Sequence, residues 1–211
     1  SGAVRGGGYR ARRGFGGAPI GQVSGAATSA FSALSSIGVL ERFVATFGKL
    51  WWLASAGGFV DVTPTGITLV DQDNYGPSWC QFGDRVIVST LLDGMFFFDI
   101  GVSSRFQALP NAPKAKVIAL VKDQVFAGHV GVGAAIEPWR VSWSGLNNSE
   151  IWGYDPANQA DSQALDSSYG AVQAIIGGDY VTIFQSRAVV RATPVGGSVF
   201  FSFDTVDRDR G

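Results

Sequence analysis

The feature that most constrains the fold of this chain is a strand–turn–strand pattern that occurs four times between residues 43 and 191. In each copy an apolar run meets a short turn of Gly, Lys or Asp, a second apolar run follows, and a third comes soon after. The turn centres fall at Gly48, Gly83, Lys122 and Gly178. Internal repeats of about 40 residues made of short strands are typical of propeller blades. The sequence therefore predicts an all-β fold, a β-propeller-like array of short antiparallel sheets with at least four units and a flexible N-terminal arm.

The spacing of the repeats predicts where the units begin and where one is interrupted. The turn centres are separated by 35, 39 and 56 residues, and the long gap contains a polar segment at 146–167. Removing an insertion of about 18 residues there restores a period near 38, which is close to the length of a blade. We therefore expect a repeat domain at 39–211 with an insertion at about 146–167. The aromatic residues expected to pack neighbouring blades are Trp51, Trp52, Phe96, Phe97, Phe98, Phe200 and Phe201.

Residues 1–38 differ in composition from the rest and predict a flexible arm. Gly, Ala and Ser dominate this segment, and no acidic residue occurs before Glu41. Two roles remain open for the arm: its arginines and aromatics could bind phosphates and bases, or it could bind a neighbouring subunit. We favour the subunit contact, because 16 Lys and Arg nearly balance 17 Asp and Glu in the whole chain. The candidate subunit or DNA contacts are Arg5, Tyr9, Arg10, Arg12, Arg13 and Phe15.

No group of residues in the sequence predicts a catalytic centre, a cofactor site or a metal site. The single histidine, His129, lies in a glycine run that predicts an exposed loop without a partner for general-base catalysis. The segment 71–74 (DQDN) alternates oxygen ligands but lacks the glycine and the distant glutamate of a calcium loop. The single cysteine, Cys80, lies among apolar residues, and we expect it to be buried and inert. We therefore predict that the protein is not an enzyme.

Three acidic residues recur at equivalent turns and could suggest the paired carboxylates of a sugar hydrolase. These residues are Asp84, Asp123 and Asp179. Because Asp is favoured in turns for its own hydrogen-bonding geometry, we interpret all three as turn residues.

Composition indicates a packed core and excludes a membrane-spanning helix. Hydrophobic residues make up 46% of the chain. No apolar run approaches the roughly 18 residues that a spanning helix needs, so we expect no membrane span.

Several segments together resemble the tail nozzle, hub and stabilisation proteins of short-tailed phages (podoviruses), which contain a β-propeller domain. These segments are 8–15 (GYRARRGF), 81–86 (QFGDRV), 106–114 (FQALPNAPK), 141–152 (VSWSGLNNSEIW), 159–165 (QADSQAL), 176–180 (IGGDY), 184–188 (FQSRA) and 195–204 (VGGSVFFSFD). The resemblance covers most of the chain. Members of that family usually continue with further blades after the position that matches 208–211, so the resemblance leaves open whether the ring closes within these residues.

The resemblance implies a structural protein of the virion tail, made in the cytoplasm of the bacterial host. Such a protein forms a ring of several copies, six being expected, around the tail axis and lines part of the conduit through which DNA leaves. Its partners would be further copies of itself, other tail or portal-adaptor proteins, and phage DNA bound without sequence specificity. The alternative from another class is a propeller-type carbohydrate-binding or receptor-binding module.

Overall fold

A computed structural model describes residues 21–70, 76–132, 135–196 and 199–208 of the chain. These residues form sixteen strands in four four-stranded sheets, and the helical structure among them is one 3₁₀ turn at Ser167–Tyr169. Every sheet is an antiparallel meander in which consecutive strands pair in chain order. The all-β, propeller-like array of four units is therefore confirmed.

The strands follow the chain in four groups of four. The first sheet contains β1 (Ala27–Leu34), β2 (Leu40–Thr46), β3 (Lys49–Leu53) and β4 (Phe59–Asp61). The second contains β5 (Ser78–Phe82), β6 (Arg85–Thr90), β7 (Gly94–Asp99) and β8 (Gln107–Ala108). The third contains β9 (Ala115–Val121), β10 (Gln124–Val132), β11 (Ala135–Trp143) and β12 (Asp161–Ala164). The fourth contains β13 (Val172–Ile176), β14 (Val181–Gln185), β15 (Ala188–Pro194) and β16 (Phe201–Arg208).

Each pair of consecutive sheets shares one apolar cluster. Phe43 of the first sheet is fully buried and lies edge-on to Phe98 and Phe106 at centroid distances of 5.3 and 5.7 Å. The cluster between the second and third sheets is mainly aliphatic. Between the third and fourth sheets, Phe126 stacks on Trp143 at 5.6 Å and lies edge-on to Phe201 at 5.0 Å. Sheets covered on both faces need strands that are apolar on both sides, which explains runs such as residues 96–98.

The first strands of neighbouring sheets lie next to one another. The indole N–H of Trp79 on β5 donates to Ser29 Oγ on β1 at 2.8 Å, and the backbone N–H of Ile118 on β9 donates to Ser78 Oγ at 3.0 Å. The fourth sheet continues this arrangement, because Gly177 at the end of β13 lies against the backbone of Leu120 on β9. The first strands thus form the inner side of the array, as the innermost strands of propeller blades do.

The structure corrects several predictions made from the sequence, four of which concern the positions of segments, of a turn and of His129. Residues 27–34 of the predicted arm form β1, because their apolar side chains cover Phe43 and Trp79. The predicted insertion contains β12, and the irregular segment lies before it, at 144–160. Gly48 follows the second strand of its sheet, whereas the other three turn centres follow the first strand. His129 lies half-buried in β10 at a bulge rather than in an exposed loop.

The predicted burial of Cys80 and the predicted turn positions of the recurring aspartates are confirmed. Cys80 is buried, and burial raises the pKa of its thiol to about 12. The aspartates lie in the turns between the first and second strands of the second, third and fourth sheets. Within the described ranges, no cluster of three or more His, Cys, Asp or Glu side chains is arranged to hold a metal ion. In the same ranges no helix has the length and apolarity required to cross a bilayer.

Candidate functional site: uncovered faces of the first and fourth sheets

The predicted arm contacts cannot be placed on the fold. Arg5, Tyr9, Arg10, Arg12, Arg13 and Phe15 lie outside the described residues. The described chain begins at Gly21, which lies against Gly58 in the turn between β3 and β4. The segment 71–74 also lies outside the described residues.

The faces of the sheets present a candidate surface. In each sheet we call the face that points toward the following sheet the forward face, and the opposite one the backward face. Residues paired directly across neighbouring strands form a row on one face. The central forward rows are Phe31–Phe43–Trp52, Cys80–Ile87–Phe97, Ala119–Phe126–Trp143 and Ala174–Phe184–Val189.

The first three forward rows are covered by the following sheet, and the fourth is not. Phe43, Ile87 and Phe126 belong to the three apolar clusters between consecutive sheets. Phe184 and Val189 belong to none of these clusters and are only half-buried. Ile176, two strand positions from Ala174 on the same face, is 57% exposed. Among the described residues, the central row of this forward face is therefore apolar and is not covered by another sheet.

Among the described residues, the backward faces of the second, third and fourth sheets are covered by the preceding sheet, and that of the first sheet is not. Rows Trp79–Val88–Phe96 and Ile175–Ile183–Val190 are packed against the preceding sheets, and Ile118 and Ala127 do the same in the third sheet. The corresponding row of the first sheet is Ala30–Val44–Trp51, and none of the three belongs to a cluster.

The position of Trp51 on the backward face differs from the prediction made from the sequence. The sequence suggested that both Trp51 and Trp52 pack between blades, but alternation along β3 sends them to opposite faces. Trp52 packs in the first junction, whereas Trp51 faces outward with its N–H donating to Thr46 Oγ1 at 2.9 Å. Leu34 and Leu40, which pair at the end of the β1–β2 hairpin on the same face, are 58% and 48% exposed.

Two charged side chains on the backward face of the first sheet, Lys49 and Asp61, are held by neighbours within that sheet. Lys49 Nζ lies 5.4 Å from the ring centroid of Trp51 and 2.7 Å from Asp61 Oδ2. Partial burial raises the pKa of the Asp61 carboxyl, but hydrogen bonds from Lys49 and Thr63 outweigh burial and lower the pKa to about 2. Asp61 is therefore ionised at neutral pH. With Lys49, Thr63 and Arg105 it lines an open cleft of about 550 Å³.

Turns at one end of the array join the first sheet to the second. The backbone N–H and hydroxyl of Ser36 donate to the two carboxylate oxygens of Asp84 at 2.6 and 2.5 Å. Gln81 accepts from the N–H of Leu34 at 3.1 Å and donates to its carbonyl oxygen at 2.6 Å. The two hydrogen bonds from Ser36, chiefly that of its hydroxyl, lower the pKa of the Asp84 carboxyl. Asp84 thus connects two sheets in addition to its place in a turn.

Arg85 joins the second sheet to the loop at 144–160. Its guanidinium donates to both oxygens of Asp99 at 2.7 and 3.0 Å and to Glu150 Oε1 at 2.6 Å. The group lies 4.0 Å above the ring of Phe97. The hydrogen bonds to Asp99 are the main reason that the pKa of Arg85 is raised. A cleft of about 570 Å³ next to these residues has its charged groups bonded mainly to one another and to Ser36.

These features make the uncovered faces the strongest candidate site, and sequence reasoning missed them. The array has two sheet faces suited to burial against another sheet, while its clefts are open and have internally paired charges. The strand register would have located them, but the register cannot be derived from the sequence alone. Among the described residues, no apolar cluster contains both first-sheet and fourth-sheet residues.

Comparison with known proteins gives structural neighbours only. No family model and no curated protein sequence matches the chain. A streptogramin B lyase structure is 15% identical with a TM-score of 0.42, and covers 85% of this chain and 54% of its own. The structure of BBS1N in complex with ARL6DN is 14% identical with a TM-score of 0.44, and covers 83% of this chain and 53% of its own. Virginiamycin B lyase from Staphylococcus aureus is 11% identical with a TM-score of 0.35, covering 85% of this chain and 70% of its own.

This chain therefore spans about half the length of the first two neighbouring structures. Similarity this distant says nothing of function, and the propeller-like class rests on the four sheets themselves.

Proposed function

We propose that the protein is a non-catalytic structural component of a phage virion tail, a nozzle, hub or adaptor-ring protein that forms part of the DNA exit conduit. The observation that carries an assembly role is the pair of uncovered apolar faces on the first and fourth sheets. Contiguous exposed apolar patches mark protein–protein contacts. The segments that resemble tail proteins of short-tailed phages support the choice of a tail among the assemblies that would use such faces.

The alternative, a carbohydrate-binding or receptor-binding module, has less support from the described residues. A ligand site needs polar groups that are free to bond the ligand. In the cleft beside Arg85, that guanidinium is engaged by Asp99 and Glu150, and Asp84 is engaged by Ser36.

The proposed function is tested by locating the protein in particles. Antibodies raised against the purified protein are applied to virions of the source phage, purified on a density gradient, in immunogold electron microscopy and in blots. We expect gold at the tail end of the particle and a constant number of copies per virion. A protein present in the infected-cell lysate but absent from the purified particles would refute the tail role. Antibodies to the capsid protein provide the control for particle recovery.

A further inference from the structure

The cleft beside Asp61 keeps positive charge after its internal pairing. Its lining contains two cations, Lys49 and Arg105, and one carboxylate, Asp61. Lys49 Nζ donates to Asp61 Oδ2 at 2.7 Å, whereas Arg105 Nη1 is 3.9 Å from Asp61 Oδ1, which is beyond hydrogen-bond distance. The side chains of the two cations are 50% and 51% exposed. The cleft therefore presents N–H donors and a net positive charge to a ligand.

Hydrogen bonds hold the walls of this cleft in place. The backbone N–H of Leu69 donates to Gly48 O at 3.2 Å and attaches the segment 63–68 to the β2–β3 turn. From the second sheet, Arg105 donates to Thr63 O at 3.0 Å. The cleft thus lies where the first two sheets meet, with its polar groups positioned before any ligand arrives. A site formed in advance loses less free energy on binding than one that must first be ordered.

An exposed aromatic ring and two hydroxyls border the same cleft. Phe47 in the β2–β3 turn is 70% exposed, and no other phenylalanine in the described ranges is exposed to this extent. Thr65 and Thr68 are also exposed, and their hydroxyls bond no other described residue. A pyranose ring has an apolar face of C–H groups that packs on an aromatic ring, and hydroxyls that bond polar groups of this kind.

We propose that this cleft binds an acidic saccharide, with the carboxylate of the sugar at Lys49 and Arg105 and one face of its ring on Phe47. The cleft volume of about 550 Å³ lies within the range of small-molecule sites. The inference goes beyond the proposed function and does not rest on it, because it adds a ligand to a protein whose proposed role is assembly.

Asp61 favours a saccharide over a nucleic acid as the ligand. In the described chain its Oδ2 accepts one hydrogen bond, from Lys49, so an acceptor position remains for a hydroxyl. A saccharide with a carboxylate brings hydroxyl donors for Asp61 and an anion for the two cations. The phosphodiester backbone of a nucleic acid has no donor for Asp61 and is repelled by it. Grooves that bind single strands present a track of cations, whereas here two cations flank a carboxylate.

Titration of the isotope-labelled full chain, followed in two-dimensional amide NMR spectra, tests the proposal. The acidic probes are hyaluronan tetrasaccharide, trigalacturonate and sialyllactose, and the neutral probe is chitin tetrasaccharide. We expect at least one acidic probe to shift the signals of Phe47, Gly48, Thr65 and Thr68 with a dissociation constant of about 0.1–1 mM. The neutral probe should bind at least about tenfold more weakly. Raising NaCl from about 0.05 M to about 0.5 M should weaken binding of the acidic probe, because salt screens exposed charges.

Two variants with matched controls assign the contacts. Arg105→Gln should raise the dissociation constant of the acidic probe about tenfold, whereas Arg42→Gln, at an exposed arginine of β2 outside the cleft, should leave it unchanged. Phe47→Ala should raise the constant about fivefold through loss of the stacked ring. Its control is Tyr154→Ala, which removes a 71% exposed ring outside the cleft and should have no effect.

Three results would overturn the proposal. The first is the lack of saturable shifts with all three acidic probes at about 10 mM, well above the weakest expected dissociation constant. The second is binding of chitin tetrasaccharide as tightly as of the acidic probes, since the cations would then have no part in it. The third is tighter binding of a single-stranded oligothymidylate than of any acidic saccharide, which would assign the cleft to a nucleic acid.

Circular dichroism melting shows whether each variant folds. Lys49→Gln replaces Arg105→Gln, and Phe47→Ser replaces Phe47→Ala, if either of the first variants does not. A protein that is found at the virion tail but binds none of the acidic probes would refute this inference alone. A protein that binds an acidic probe in this cleft but is missing from virions would refute the proposed tail function alone.

Discussion

At the scale of single residues, glycines set the distance between neighbouring sheets, because a side chain at these positions would keep the sheets apart. Gly128 on β10 lies against Val172 and Ile175 of the fourth sheet, so a Cβ at this position would be 2.7 Å from Val172 Cγ1. Gly177, just after β13, is closer still: its Cβ would overlap the carbonyl oxygen of Leu120 on β9. Backbone cannot move aside as easily as a side chain, so Gly177 fixes how closely the third and fourth sheets approach.

Replacing Gly177 with alanine should lower the free energy of unfolding by at least about 2 kcal/mol, because the third and fourth sheets must separate to admit the methyl group. Urea unfolding followed by tryptophan fluorescence measures the change. The control is Gly178→Ala in the same turn, where the nearest atom to the new Cβ is Tyr180 O at 3.6 Å, an ordinary contact. Equal losses of unfolding free energy in the two variants would mean that the destabilisation comes from the turn and not from the close approach to Leu120.

At the scale of elements, the loop at 144–160 is attached to the neighbouring sheet rather than projecting as a separate insertion. Gln124 donates from its side chain to Ser144 O at 2.8 Å, and Arg85 bonds Glu150 from the second sheet. A lysine cannot form bidentate hydrogen bonds with Asp99 and also bond Glu150. The guanidinium of Arg85 is therefore needed for both contacts.

Changing Arg85 to lysine should therefore speed amide hydrogen exchange in residues 147–150 by about tenfold and leave β14 and β15 unchanged. Hydrogen–deuterium exchange read by mass spectrometry tests this expectation. Arg105→Lys is the matched control, since its guanidinium is half-exposed and 3.9 Å from Asp61. Unchanged protection in the loop would show that Asn111, whose side chain donates to Glu150 O at 3.3 Å, and the backbone bond from Asn147 to Asp123 O hold it without Arg85.

The elements also show which parts of the fold could be predicted from sequence. Runs such as 86–88 and 96–98 have a clear strand pattern because both faces are buried. β1 was missed because its sequence, ATSAFSAL, is rich in small residues, with Thr28 and Ser32 beside Ala30 and Leu34 on the uncovered face, and resembles a linker. β12 was missed because it is a short outer strand of polar residues, DSQA, defined by its pairing with β11 alone. The candidate site depends on which face of each sheet is left uncovered, and that property is decided by packing between sheets.

At the scale of the whole molecule, the array is close to one-dimensional. Each sheet shares a cluster only with its neighbours in the chain, so stability is a sum of sheet terms and junction terms. The first and third junctions are rich in aromatic residues, whereas the second is mainly aliphatic.

Removing one buried side chain from a junction should therefore destabilise mainly the two sheets that meet there. Phe126→Ala removes a fully buried ring from the third junction and should cost about 3–5 kcal/mol, raising hydrogen exchange mainly in the third and fourth sheets. Phe43→Ala, the matched change in the first junction, should raise exchange mainly in the first and second sheets. Uniform loss of protection across all four sheets in both variants would show that the array unfolds as one cooperative unit.

The burial of Cys80 has a practical consequence for labelling. A thiol with a pKa of about 12 is protonated at neutral pH, so maleimide dyes should leave it unmodified in the folded protein. Since Cys80 is the chain's single cysteine, a cysteine placed at Val102 would be the one reactive thiol on the surface. The folded chain then accepts a fluorophore at one chosen place without removal of the native sulfur, and dye uptake at Cys80 itself becomes a direct signal that the second and third sheets have come apart.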